Sequence, residues 1–113
     1  MLKMLKPVDD AVLVEIQKIE EKTAGGIYMS ENVVDHKQME QVEGTLVAVG
    51  DFAFFDLIAN NKSYPKIGDK VFFKRHSGIL HYDDKNNKVY RIIHDQDIYA
   101  CETDMKVEEV LNG

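Results

Sequence analysis

The residues of this 113-residue chain that could do chemistry are few and scattered. His36, His76, His81 and His94 are its imidazoles, and His76 and His81 flank the apolar pair Ile79-Leu80. A zinc centre needs a third and fourth ligand at close spacing, and Cys101, the single cysteine, cannot complete a multi-cysteine set. Ser77 stands in no nucleophile-elbow context, and Gly25-Gly26 lacks the further glycines and the lysine that cradle a phosphate. These side chains read as dispersed surface groups, so neither catalytic residues, nor a metal, nor a cofactor is expected of the chain.

The remaining candidates would bind rather than react. Phe52, Phe54 and Phe55 place three aromatic rings within four residues. In an oligonucleotide-binding small β-barrel such rings stack on bases, normally inside a basic groove. Here Asp51 and Asp56 border them, and that barrel stays as the alternative reading. A second candidate is Gly25-Gly26-Ile27-Tyr28-Met29, an apolar tip set between the charged runs Glu20-Glu21-Lys22 and Asp35-His36-Lys37. Glycine lets the chain turn sharply before an apolar segment, and charged flanks keep a free arm extended and solvated.

Short strands must position these groups. Ala11 to Gln17 alternates with period two, placing Val12, Val14 and Ile16 on one face and Leu13 and Glu15 on the other. Val42 to Val49, Lys70 to Lys74, Ile79 to Tyr82, Lys88 to His94 and Ile98 to Glu102 are further strands, with Asp83-Asp84-Lys85-Asn86-Asn87 as a hairpin turn. Apolar residues keep helical spacing only over Asp104 to Leu111, so no helix is expected before residue 104. Two segments interrupt the strands. Lys18 to Gln41 is long for a connection within a small domain and reads as a loop with a functional tip. Asp51 to Lys66 reads as a hairpin whose first arm is apolar. The pattern as a whole is that of an all-β domain, a small barrel or sandwich.

Composition bounds the function. The length and a hydrophobic content of 44% suit one domain with a modest core. A net charge of −6 argues against a dedicated DNA or anionic-lipid partner. One cysteine points to a reducing compartment, and no window approaches a membrane span or a signal peptide, so a soluble cytoplasmic protein is expected.

An ordered set of blocks now carries a resemblance. Lys6-Pro7-Val8-Asp9-Asp10, Val12-Leu13-Val14, Lys22-Thr23-Ala24-Gly25-Gly26-Ile27, Glu43-Gly44-Thr45-Leu46-Val47-Ala48-Val49-Gly50, Ile67-Gly68-Asp69-Lys70-Val71-Phe72-Phe73 and Asp97-Ile98-Tyr99-Ala100 follow one another as in the GroES-type co-chaperonins. The chain resembles that family over residues 2 to 102.

The resemblance implies a GroES-like β-barrel over 1–102, with a mobile loop at about 18–37, a roof hairpin at about 51–66, and a C-terminal extension at 103–113. It implies a homo-oligomeric ring, a heptamer, that caps a GroEL-type chaperonin and encloses an unfolded client. ATP would be bound by that partner alone. The family's docking tripeptide falls on Ile27, Tyr28 and Met29, after Gly25 and Gly26, and Phe52, Phe54, Phe55 and His76 fall on the chamber roof or lining. For the three phenylalanines, lining the dome and packing against the barrel core both stay open. Tyr28 and Met29 depart from the small aliphatic residue and leucine of many relatives, and His76 stands where many have tyrosine. A divergent bacterial member and a virus-encoded one fit these departures equally.

Overall fold

A computed structural model describes residues 5–20 and 30–102. Six strands form one antiparallel sheet: β1 (Ala11–Ile16), β2 (Glu43–Val49), β3 (Lys70–Phe73), β4 (Ile79–Asp83), β5 (Lys88–His94) and β6 (Ile98–Glu102). Their order across the sheet is β4-β5-β1-β2-β3-β6. β1 is central, pairing Val14 with Leu46 of β2 and with Arg91 of β5. The strands fall where alternation places them, because period two sends one row of each strand's side chains inward and the other outward.

That inner row builds the core. Val12, Val14 and Ile16 of β1 meet Leu46, Val71, Phe73, Val89 and Ile93 in one cluster. Two strands separate β5 from β3, so in a flat sheet their backbones would lie about 14 Å apart. Yet the guanidinium carbon of Arg91 on β5 sits 5.1 Å from the ring centre of Phe73 on β3. The sheet therefore curls around its inner side chains as a barrel wall. Leu13, on the opposite face, is also buried.

Two helices stand where none was expected. α1 (Glu31–Glu40) occupies the second half of the segment read as a loop. Its periodicity is invisible because only Val34 and Gln38 are buried, one apolar residue and one carboxamide, so no apolar stripe exists. Local chemistry starts it instead: Ser30 is the N-cap, its Oγ accepting the Val33 N–H at 3.3 Å, with Glu31 in the first turn. α2 (Phe55–Ala59) corrects the expected hairpin, since residues 51–66 contain turns and this short helix rather than paired strands. Five residues are too few to show a helical period. Phe54 enters α2 with a left-handed backbone, φ 60°, and Asn61, φ 56°, follows its end. Among the described residues, no helix is long and apolar enough to cross a membrane.

Candidate functional site

The structure divides the aromatic trio. Phe54 is 6% exposed and belongs to the core cluster, whereas Phe52 and Phe55 are each 56% exposed. Phe54 stacks on Tyr64 with ring centres 6.0 Å apart, and the Lys66 ammonium lies 3.2 Å from the Tyr64 ring centre. The Phe54 N–H donates to Asp95 Oδ2 at 2.8 Å, which holds the left-handed residue in place. Phe52 and Phe55 pack on each other outside, 5.7 Å between centres. A base-stacking platform would need adjacent accessible rings in a basic setting. With Phe54 withdrawn into the core and Asp51 and Asp56 beside the other two, the nucleic-acid reading is not favoured.

His76 is exposed, in a left-handed turn at φ 63°, and its N–H donates to Met39 O at 3.0 Å. Its ring faces His36 at 5.7 Å, and His36 Nε2 lies 3.0 Å from Glu40 Oε1. His81 is elsewhere, against Tyr90. Among the described residues no three histidine, cysteine or acidic side chains converge as metal ligands. Cys101, on β6, is partly buried against the core, and burial together with the Asp69 charge pushes its thiol above the ordinary range.

Gly25, Gly26, Ile27, Tyr28 and Met29 lie outside the described residues, as does the 103–113 extension. What the structure does place is the ground on either side of residues 21–29. β1 delivers the chain to Gln17, Lys18 and Ile19, and α1 receives it at Ser30. Sequence reasoning missed the residues that hold this ground, chiefly Arg91, Gln38 and Gln41. Arg91 is wholly buried on the inner row of β5. Its Nε and Nη2 donate to Ser77 O at 2.9 and 2.5 Å, and its Nη1 reaches Gln41 O at 3.2 Å, with Met39 O and Gln38 O at 3.4 and 3.5 Å. A guanidinium thus satisfies the open carbonyls at the C-terminal end of α1, where a cation is favoured. Burial lowers its pKa and the Asp97 charge opposes that. The available signal was a lone arginine at an inward position of the Lys88 to His94 alternation, which in a small barrel demands buried acceptors.

Comparison with known proteins bears on the whole of this architecture. The family model described as the chaperonin 10 Kd subunit matches residues 4–102. A co-chaperonin GroES of Lacticaseibacillus zeae is 38% identical over 101 residues, spanning 86% of this chain and 98% of its own. Those of Bacillus sp. (strain PS3) and of Lactobacillus delbrueckii subsp. bulgaricus are 36% and 33% identical over 98 residues, each covering 86% of this chain and 97% of the relative. A match that runs continuously from ahead of β1 to the end of β6, over a curled six-stranded antiparallel sheet, makes this chain a member of the chaperonin 10 Kd subunit family.

Proposed function

We propose that this co-chaperonin assembles as a homo-oligomeric ring, a heptamer, that caps an ATP-dependent GroEL-type chaperonin and closes a chamber around an unfolded client. The carrying observation is the family match over residues 4–102, which includes the Gly25-Gly26-Ile27 block between β1 and α1. In this reading Ile27, Tyr28 and Met29 enter an apolar groove on the chaperonin, and Phe52, Phe55 and His76 face the chamber. The exposure of Phe52 and Phe55 beside a buried Phe54 supports that division of labour. The protein contributes no catalysis, and nucleotide turnover belongs to the partner.

The physics favours weak, repeated contacts. Burying each tip residue contributes about 1.5 to 3 kcal/mol, while fixing one backbone residue costs about 1 to 2. One arm therefore binds poorly. Seven arms on one ring act at high effective concentration, so the lid seals as a unit and still leaves when the groove changes. At 12.9 kDa per chain, a heptamer has a mass of roughly 90 kDa.

Native mass measurement with and without a bacterial chaperonin and ATP tests assembly and partnership together. Ile27→Asp is expected to abolish nucleotide-dependent association while leaving the ring mass unchanged. A monomer or dimer at micromolar concentration, or full association by that variant, refutes the proposal.

A further inference from the structure

Of the three residues after β1, Gln17 and Ile19 are held by side chains of α1 and its end. The Gln41 carboxamide behaves as a short piece of strand: its Oε1 accepts the Gln17 N–H at 3.1 Å and its Nε2 donates to Gln17 O at 2.7 Å. Gln38, wholly buried, accepts the Ile19 N–H at 2.7 Å and the Gln41 Nε2 at 3.3 Å on one oxygen. Both glutamines stand on the helix end that Arg91 grips from the barrel interior, and the His76 N–H adds a bond to Met39 O at 3.0 Å. On the outer flank the Tyr82 hydroxyl bonds Asp35, and the Lys18 ammonium bonds Asn87, tying the same ground to the β4–β5 hairpin. A wholly buried carboxamide and a wholly buried guanidinium, joined through one helix end, are expensive features for a small barrel. They secure the two points where the chain leaves the wall and returns to it.

We infer that Arg91, Gln38 and Gln41 are positioning residues for docking: they form a collar that fixes both roots of the arm. Recognition then acts on a chain whose exit at Gln17 to Ile19 and whose return at α1 are already fixed. This rests on the docking role proposed above. The ordering cost grows with each backbone residue fixed, and apparent affinity falls in proportion to the fraction of arms held competent. On a ring that penalty is repeated for every arm engaged, so a small loss of collar strength becomes a large loss of association.

The test uses the full chain carrying Gln41→Ala, with Gln41→Asn as the milder variant that keeps a carboxamide, donor and acceptor, on a side chain one methylene shorter. Ring mass, hydrogen exchange at the Gln17 and Ile19 amides, and the kinetics of nucleotide-dependent association with a bacterial chaperonin are read together. Gln41→Ala is expected to retain the ring, to speed exchange at both amides about tenfold or more, and to slow association by a similar factor, with Gln41→Asn between it and the unmodified chain. Faster exchange with unchanged association overturns the positioning role, and unchanged exchange overturns the collar itself. If Gln41→Ala fails to assemble, Gln41→Asn carries both readouts, with the same results deciding. An unmodified ring that never associates defeats the docking reading and this inference with it. That failure is told apart because it appears without any substitution.

Discussion

Replacing Arg91 by methionine removes the guanidinium and keeps an unbranched chain against Phe73. Of the carbonyl contacts, those to Ser77 O at 2.9 and 2.5 Å and to Gln41 O at 3.2 Å are the shortest, so one buried and one part-buried acceptor lose a charged donor. At about 1.5 to 3 kcal/mol for each such acceptor, the loss is roughly 3 to 6 kcal/mol. Against it stands relief from burying a charge with no carboxylate bonded to it among the described residues, a cost in line with the lowered pKa of Arg91, and methionine's ability to fill irregular space. A net destabilisation of about 3 kcal/mol follows. With a urea dependence near 1.5 kcal/mol per molar for a domain of this size, the unfolding midpoint should fall by about 2 M. The comparison is made at fixed protomer concentration, because assembly contributes to apparent stability. Arg91→Lys keeps the charge without the fork and should lose about half as much. A midpoint shift under about 0.3 M for Arg91→Met would refute the reasoning, and a rise would mean that desolvation outweighs every bond the guanidinium makes.

Other perturbations separate neighbouring residues. Phe54→Ala opens a cavity in the core cluster and should cost about 3 to 5 kcal/mol, whereas Phe52→Ala, at an exposed ring, should stay within about 0.5 kcal/mol; equal costs in chemical denaturation would contradict the division of the trio. His94 Nδ1 lies 3.0 Å from Asp10 Oδ1, and that hydrogen bond, then the Asp10 charge, raises the His94 pKa above 6.5. A raised histidine pKa contributes stability that is fully present below the unfolded value and disappears as pH rises through the folded one. The urea midpoint of the unmodified chain should therefore exceed that of His94→Asn at about pH 5.5 and converge with it at about pH 8.5, and a gap that does not narrow would exclude the pair.

The strands were legible almost to the residue, and the reason is visible in β1 and β5. Val12, Val14 and Ile16, then Val89 and Ile93, recur at even spacing on one face, and that period of two survives in sequence because each strand has only two faces. The helices were not legible. In α1 the buried positions are Val34 and Gln38, so the pattern that announces an amphipathic helix is missing, and the signs that did exist were a serine cap and an acidic first turn. α2 depends on Phe54 taking a left-handed backbone while Asp95, forty-one residues later, accepts its N–H, a partner that local reading cannot supply. The aromatic trio shows the same limit: three phenylalanines of one chemistry were read together, and packing sent one inward and two outward.

By itself, then, the sequence determined the all-β class, the strand positions and, through its ordered blocks, the family, because these depend on short-range periodicity and on residue types in a given order. Only the tertiary structure decided how the end of β1 and the end of α1 are held together. An arginine on β5, a turn at Ser77 and the end of α1 are remote in the chain and share one buried polar network. Curling of the sheet is the physical reason: it carries Arg91 from one side of the wall to the Phe73 ring on the other, and into reach of carbonyls that no pairing rule would have placed beside it.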